Sequence, residues 1–221
     1  MKKTLIASFC FAAMATQAQT NLQVHYDFGE NRNYVTTTLE MFKPDKCGNT
    51  FFFVDFDYNQ GQDNHPGSAY MEIARCLKFW DGPFSAHVEY NGGLLSFAPI
   101  NNSYLVGVDY AWATPDFSKT LNLKVLYKNI QGKNSTPQFT GVWGVQLLDK
   151  KVTFSGFADL WWEKNVFFAD SKTYSIFIAE PQIWYNFTDQ LSAGGEIELA
   201  SNFGGVKGFK ACPTLGVKWN F

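Results

Sequence analysis

The feature that most constrains the fold is an alternation of apolar and polar residues with a period of two. Side chains alternate between the two faces of a β-strand, so this pattern predicts strands with one apolar and one polar face. The clearest examples are residues 22–28, 52–58, 84–91, 121–128 and 209–221. No stretch after residue 20 shows a comparable helical period, and the sequence therefore predicts an all-β protein.

Weaker alternation predicts further strands at 34–42, 70–79, 103–112, 138–147, 152–163, 174–187 and 191–202. The complete set amounts to about 12 strands, most near the ~10 residues of a tilted membrane strand. Strands in soluble proteins usually have only about 5–6 residues. Pro181 and Pro213 lie inside predicted strands and predict local irregularities in the hydrogen-bond ladder.

The composition favours a membrane protein over a soluble one. Aromatic residues make up 18% of the chain and charged residues only 17%, below the roughly 25% of soluble domains. The net charge of −2 gives no basic surface for a nucleic acid. We therefore predict a transmembrane antiparallel β-barrel, whereas a secreted β-sandwich would explain the alternation but not the strand lengths or the scarcity of charge.

The first 20 residues, MKKTLIASFCFAAMATQAQT, indicate export from the cytoplasm. Two lysines, an apolar stretch and a small-residue cleavage site predict a signal peptide at 1–18, followed by the barrel at 19–221. The apolar stretch is about half of the ~20 residues that a membrane helix needs. Cys47, Cys76 and Cys212 remain, without metal-binding spacing, as small apolar residues or lone thiols, and one disulfide between two of them stays open.

The connections between strands alternate in length, as in outer-membrane barrels with short periplasmic turns and longer outer loops. We predict turns at 80–83, 149–151 and 188–190, somewhat longer links at 43–49 and 113–119, and loops at 59–68, 93–102, 129–136 and 164–172. An even number of strands places both termini on the periplasmic side. The terminal Phe221 is expected to end a strand that pairs with the first one, and it resembles the C-terminal signature that the barrel-assembly machinery recognises.

Aromatic residues near the strand ends are expected to form the girdles at the two membrane interfaces. The candidates are Tyr90, Tyr110, Trp112, Trp143, Trp162, Tyr185 and Trp219. Arg75 falls on an otherwise apolar face. Either the register of its strand differs from our prediction, or Arg75 lies near a rim and reaches the lipid headgroups.

The polar face of each strand is expected to line the lumen of the barrel. A barrel of this size has a backbone diameter of roughly 24 Å, which side chains narrow to a passage for small solutes. The residues predicted to line it or contact a solute are Asp55, Asp57, Glu72, Glu89, Asp109, Lys124, Lys128, Asp159, Trp161, Glu180, Trp184, Glu196 and Lys210. Other residues of the same faces are His25, His87, Glu163, Glu198, Lys218, Phe51, Phe53 and Phe157. Their mixed charges form either a salt-bridged plug or a polar slot.

Aromatic rings and carboxylates together suit planar solutes that carry hydroxyl and amino groups. Rings stack on a flat molecule, and carboxylates accept hydrogen bonds from its donors. The lining is therefore expected to favour nucleosides or similar molecules over anions.

The barrel size, the terminal Trp-Asn-Phe and the stretches AYMEIARCL (69–77) and IAEPQIWYNF (178–187) carry a resemblance to a known family. The chain resembles the nucleoside-specific channel-forming outer-membrane porin superfamily, and more closely its relatives in Bacteroides-type bacteria. That resemblance implies a monomeric twelve-stranded barrel for passive uptake of nucleosides. Within the two stretches, Glu72, Glu180 and Trp184 are the first positions to test.

Two other functions suit a barrel of this size. An outer-membrane enzyme that modifies lipid would need a nucleophile and a base near the lipid-facing rim. The histidines available are His25, His65 and His87, no G-x-S-x-G motif occurs, and Asp55 and Asp57 with His65 lack a recognised metal spacing. We predict no catalytic residue, cofactor or metal; the expected partners are outer-membrane lipid, a small solute and the assembly machinery, and not nucleic acid. A closed barrel that serves as a surface anchor stays open as an alternative.

Overall fold

The structure is a computed structural model that describes residues 19–58, 66–164, 168, 170 and 172–221. The predicted signal peptide at 1–18 and His65 lie outside the described residues. Strands make up the described part of the chain almost entirely. No helix in these ranges has the length and apolar character needed to cross a membrane.

The strands follow the alternating stretches of the sequence closely. They are β1 (Gln19–Asp27), β2 (Tyr34–Asp45), β3 (Gly48–Tyr58), β4 (Pro66–Leu77), β5 (Phe84–Leu95), β6 (Ala98–Ala113), β7 (Lys119–Ile130), β8 (Thr136–Leu147), β9 (Val152–Lys164), β10 (Thr173–Ala179), β11 (Gln182–Asn186), β12 (Leu191–Ser201) and β13 (Phe209–Asn220). Each strand pairs antiparallel with the next along the chain, except that β10 and β11 both pair with β9 and with β12. These two segments are therefore halves of one strand, and the barrel has twelve strands.

The barrel closes between its first and last strands. Asn21 lies opposite Asn220, and the pairing continues to Asp27 opposite Thr214. The backbone N–H of Phe221 donates to the carbonyl of Thr20 at 2.9 Å. The predicted antiparallel barrel is confirmed, and closure leaves no free sheet edge, as a membrane-spanning sheet requires.

Two predicted links are wrong. Residues 93–102 are not a loop, because β5 and β6 continue to a hairpin tip at Ser96–Phe97. The link at 43–49 shrinks to 46–47, because Lys43 and Pro44 pair with Thr50 and Asn49. The strands on either side of 59–65 and 165–172 have their adjoining ends opposite the termini, and the described connection 202–208 lies at that end too, in agreement with longer links on the outer side.

Both prolines interrupt the ladder as predicted. Pro181 separates β10 from β11. Next to Pro213, the β12–β13 pairing is missing between the pairs Gly194–Gly216 and Ile197–Pro213. A proline has no N–H to donate, so each marks a place where the backbone departs from regular pairing.

The outer surface of the barrel is apolar. Side chains exposed on it include Val106, Val108, Leu123, Val125, Tyr127, Ile183, Leu215 and Val217. The predicted girdle residues Trp112, Trp162, Tyr185 and Trp219 are also exposed, each within two residues of a strand end. An exposed apolar surface of this extent needs an apolar environment.

Arg75 has the outward orientation but lies two residues from the end of β4. Its guanidinium donates to Asp45 at 2.9 Å and to Thr50 at 3.1 Å. The second of the two explanations for Arg75 therefore fits the structure, since the residue is at the rim on the side of the termini.

Candidate functional site: the barrel lumen

The register places the predicted polar faces inside the barrel. Residues directly opposite in an antiparallel ladder share a face, and the pairs Thr38–Asp55, Phe53–Glu72, Cys76–His87, Ser85–Asp109 and Asp109–Lys124 link one inward row to the next. The inward carboxylates are Asp27, Glu40, Asp55, Asp57, Glu72, Glu89, Asp109, Asp159, Glu163, Glu196 and Glu198, and the inward lysines are Lys124, Lys128, Lys210 and Lys218. Acids outnumber bases, so the lumen is acidic.

One side of the lumen is open, and we call it the open wall. It consists of the inward residues of β2, β3 and the first half of β4, all of which are partly exposed: Thr36, Thr38, Glu40, Phe51, Phe53, Asp55, Asp57, Tyr70 and Glu72. The rings of Phe51, Phe53 and Tyr70 follow one another at centroid separations of 6.1 and 6.0 Å. The open wall therefore combines a row of rings with a row of carboxylates.

The carboxylates of the open wall are held by neutral donors. Thr38 donates to Asp55 at 2.6 Å, and Thr36 and Ser68 both donate to Asp57 at 2.6 Å. The Tyr70 hydroxyl donates to Glu72 at 2.7 Å. Among the residues the structure describes, no salt bridge involves these three acids, so none of them has a cationic partner.

The opposite side is filled by its own side chains, and we call it the packed wall. It consists of the inward residues of β5 to β8, of which the buried ones are Ser85, His87, Asn91, Ser103, Leu105, Asp109, Leu126, Lys128, Ile130, Thr136, Gln138 and Thr140. The neighbouring Trp161, Ile176 and Ile178 join Ile130 in an apolar cluster, against which Phe203 of the 202–208 connection packs. The open part of the lumen is therefore much narrower than the backbone diameter of the barrel.

A hydrogen-bonded chain runs across the packed wall. Lys128 Nζ donates to Gln138 at 2.8 Å, the Gln138 amide donates to Thr140 at 3.0 Å, and Thr140 donates to Asp159. Lys128 Nζ also lies 3.9 Å from the centroid of the Trp161 ring, a cation–π contact. These contacts satisfy a buried lysine that would otherwise be costly.

Trp184 is anchored in the same way. It has no exposed surface, Lys218 Nζ lies 4.1 Å from its ring centroid, and His25 meets the ring edge-on. Its indole N–H donates to Gln182 at 2.9 Å, and the Gln182 amide donates to Glu196 at 2.7 Å. In this conformation Trp184 positions Glu196 and does not present a ring face to the lumen.

The break between β10 and β11 brings Glu180 into the barrel. Its backbone N–H donates to Phe157 at 3.0 Å, and the carbonyl of Pro181 accepts from Ile197 at 3.1 Å. The Glu180 carboxylate is close enough to Glu196 and Asp55 to interact with them electrostatically. Glu180 therefore extends the acidic surface from β3 across the lumen to β12.

The lumen narrows again at the end opposite the termini. Arg32 bridges Asp27 at 3.0 Å and Glu198 at 2.7 Å. A cavity of about 160 Å³ lies beside this bridge and is lined by Arg32, Glu198, Ala200, Phe203, Gly204, Val206, Gly208 and Lys210. Further along this rim, Lys207 of the connection 202–208 forms an ion pair with Asp170, which precedes β10, at 3.4 Å. The Tyr174 hydroxyl donates to Asp170 and lowers the pKa of that carboxyl.

The predicted lining residues thus fall into separate groups. Asp55, Asp57 and Glu72 lie on the open wall, with Glu180 and Glu196 next to them. Glu89, Asp109, Lys124 and Lys128 belong to the packed wall, with Asp159 and Trp161 beside it. Lys210 lies at the outer end and donates to the carbonyl of Glu30 at 3.0 Å. All of them face the lumen, but they do not form a single site.

Sequence analysis missed one cluster, which lies near the end of the barrel that carries the termini. Cys76 Sγ is 3.4 Å from His87 Nδ1 and 3.3 Å from Asp109 Oδ2, and all three residues are buried. Cys76 and His87 are equally distant from the Asp81–Gly82 turn, so folding the sequence about that turn would have paired them. All three cysteines of the described part are free thiols.

Comparison with known proteins supports the barrel. The NanC porin matches with a TM-score of 0.60 at 12% identity, covering 91% of this chain and all of that one. The KdgM porin, solved in complex with disordered oligogalacturonate, matches with a TM-score of 0.52 at 14% identity, covering 92% of this chain and 99% of that one. At these identities the likeness concerns the fold. No curated protein matches the chain.

The family model that matches covers residues 18–221, which is the whole barrel. Its description is a domain of unknown function (DUF5020), and the match does not show the nucleoside-specific superfamily expected from the sequence. This protein belongs to the DUF5020 family, whose barrel is similar to that of outer-membrane porins.

Proposed function

We propose that this protein is an outer-membrane channel for passive diffusion of small neutral or cationic solutes, with nucleosides or similar planar, hydroxyl-rich molecules as its substrates. The observation that carries this proposal is the open wall. Asp55, Asp57 and Glu72 are partly exposed there, accept hydrogen bonds from hydroxyl groups, and lie on the same wall as the partly exposed rings of Phe53 and Tyr70.

The acidity of the lumen argues against an anionic substrate. Oligogalacturonate, with which the KdgM porin was solved, is a chain of acidic sugars. Like charges repel strongly in a narrow, poorly hydrated passage. We therefore expect this channel to exclude such a molecule and to admit solutes that donate hydrogen bonds.

A closed barrel is the second candidate, and the packed wall favours it. Buried side chains on β5 to β8 fill one half of the lumen, and Trp184 is fully covered on the other side. Ion conductance separates the two candidates. A channel gives steady single-channel current in planar bilayers, whereas a barrel that stays closed gives none.

The substrate prediction is tested by a pair of variants at adjacent positions. Phe53 points into the lumen and Phe52 points outward, as their partners Glu72 and Ile73 show. Stacking of a base on an aromatic ring contributes about 1–3 kcal/mol, so Phe53→Ala should weaken the block of current by adenosine at least several-fold. Phe52→Ala should leave the block unchanged.

Glu180→Ala and Trp184→Ala are expected to weaken the same block, the second by releasing Gln182 and Glu196. The measurement is the concentration of adenosine that halves the single-channel current. Equal block in wild type and all three lumen variants would remove Phe53, Glu180 and Trp184 from the solute site, and no block of the wild-type current by adenosine would remove nucleosides as substrates. A current carried mainly by anions would contradict the proposal as a whole.

A further inference from the structure

The cluster of Cys76, His87 and Asp109 brings three different ligand types to one point of the lumen wall. Cys76 and His87 are direct cross-strand partners on β4 and β5. Asp109, on β6, lies opposite Ser85 of β5. It is two residues from Gly107, the β6 residue that lies opposite His87. The thiol sulfur, the imidazole Nδ1 and a carboxylate oxygen all lie within 4.8 Å of one another.

These separations suit a tetrahedral metal ion. With Zn–S of about 2.3 Å and Zn–N or Zn–O of about 2.0–2.2 Å, tetrahedral ligand atoms lie roughly 3.4–3.6 Å apart. The sulfur is already 3.4 Å from Nδ1 and 3.3 Å from the Asp109 oxygen. The third separation, between Nδ1 and the carboxylate oxygen, is no more than 4.8 Å.

The groups behind the ligands orient them for this purpose. His87 Nε2 is 2.8 Å from Glu89, and because a carboxylate accepts, Nε2 is the donor there, so that Nδ1 of a neutral imidazole is the nitrogen left to bind an ion. The Asn122 amide donates to the other oxygen of Asp109 at 3.0 Å. Metal-binding histidines and carboxylates are held by such outer partners in known sites.

The three side chains already contact one another around one point. The Cys76 thiol donates its hydrogen to Asp109 Oδ2, and its sulfur also lies next to His87 Nδ1. A divalent cation would accept all three lone pairs at once. The three negative charges of a Cys76 thiolate, Asp109 and Glu89 would then balance the two positive charges of the ion and the one of the nearby Lys124.

We propose that Cys76, His87 and Asp109 bind a divalent transition-metal ion, with Zn²⁺ as the expected ion and a fourth position left for water or a solute. The sulfur ligand favours Zn²⁺ over Mg²⁺ or Ca²⁺, which take oxygen ligands. The cluster lies near the mouth on the side of the termini, since Cys76 is followed only by Leu77 in β4.

The test is metal binding by the folded full-length barrel in detergent. Isothermal titration with Zn²⁺ should give one site per barrel, and Co²⁺ should produce a thiolate-to-cobalt charge-transfer band. Cys76→Ser should abolish the band. Cys212→Ser is the matched control, because Cys212 is also a buried, lumen-facing thiol and should leave binding unchanged.

A second variant keeps the ligands and changes only their support. Loss of an outer-shell partner typically costs 10–100-fold in affinity, so Glu89→Gln should weaken Zn²⁺ binding by about that factor. Heat-modifiable migration in gels verifies folding of each variant. Equal Zn²⁺ affinity in wild type, Cys76→Ser and Glu89→Gln, or no cobalt–thiolate band in wild type, would overturn the assignment.

Discussion

The open wall and the packed wall contain the same kinds of residue but differ in how exposed those residues are. Both have carboxylates and aromatic neighbours. On the packed wall, Lys128 and its partners form a continuous chain, and the side chains there are buried. On the open wall, Asp55 and Asp57 accept only from hydroxyls and stay partly exposed. The difference follows from the position of the lysines, and not from the number of acids.

Strand β7 supplies several of the side chains that fill the packed wall. It supplies both Lys124 and Lys128 to the lumen, together with the inward apolar residues Leu126 and Ile130. Long cationic side chains reach across to acids and rings, and apolar ones seal the space between them. Strands β2 and β3 supply no inward lysine within the span that lines the open wall. A solute therefore has room only on that side.

The largest effect on stability and conductance is expected from removing a large side chain next to the packed wall. Trp161 is 5% exposed inside the barrel, whereas its neighbour Trp162 is 37% exposed on the outside. Truncating a buried tryptophan typically costs about 3–5 kcal/mol, so Trp161→Ala should lower the free energy of unfolding by that amount and raise the conductance. Urea unfolding and single-channel recording measure the two effects.

Trp162→Ala is the matched control for that change. It removes the same atoms from a surface position, so it should cost less stability and leave the conductance unchanged. Equal losses of stability, with no gain of conductance for Trp161→Ala, would mean that the packed wall does not limit the channel.

The break between β10 and β11 at Glu180 and Pro181 places a carboxylate near the open wall. A mutation that disturbs the backbone there should lower the stability of the barrel. Gly156 has a φ of +154°, and an added Cβ would lie 2.4 Å from the Glu180 carbonyl and 2.8 Å from the Trp143 ring. Relief of such a clash costs roughly 1–3 kcal/mol. We expect Gly156→Ala to lower the urea midpoint accordingly.

Gly141→Ala provides the comparison, because its added Cβ would meet only Leu123, at an ordinary 3.8 Å. This variant should unfold like the wild type. If neither alanine variant changed the urea midpoint, the backbone at Glu180 would be free to move. The position of the Glu180 carboxylate next to the open wall would then not be fixed.

Alternation was enough to predict most of each strand and which of its residues share a face, but not the continuation of β5 and β6 through 93–102. Inward and outward positions repeat every two residues along a strand, so local sequence carries that information. The pairing of Cys76 with His87 could also have been predicted, because the two residues are equally distant from the Asp81–Gly82 turn. Asp109 was not, because the β5–β6 turn at Ser96–Phe97 lacks turn residues and a bulge between Asn91 and Gly93 shifts the register.

The division into two walls could not be predicted from the sequence. It depends on which side chains meet across the lumen, as Trp161 meets Phe203 from a distant connection. It also depends on which lysine covers which ring, and Lys218 reaches Trp184 only because the first and last strands close the barrel. Such contacts join residues far apart in the chain and leave no periodic pattern.

The smallest effect, and the one that tests the charges directly, is on ion selectivity. The triple variant Asp55→Asn, Asp57→Asn and Glu72→Gln keeps the hydroxyl partners and removes only charge. One unit charge at 4 Å contributes about 1 kcal/mol in a water-like environment, so the preference for cations should fall several-fold. The measurement is the reversal potential in a salt gradient.

Glu163→Gln is the control for this experiment, because Glu163 is an inward acid already neutralised by Lys133 at 2.9 Å. If selectivity depends on acids that lack a cationic partner, this variant should leave the reversal potential unchanged while the triple variant shifts it. Equal shifts per charge removed would mean that all acids of the lumen act alike. The open wall would then differ from the packed wall in space but not in electrostatics, and solute choice would depend on the rings of Phe53 and Tyr70.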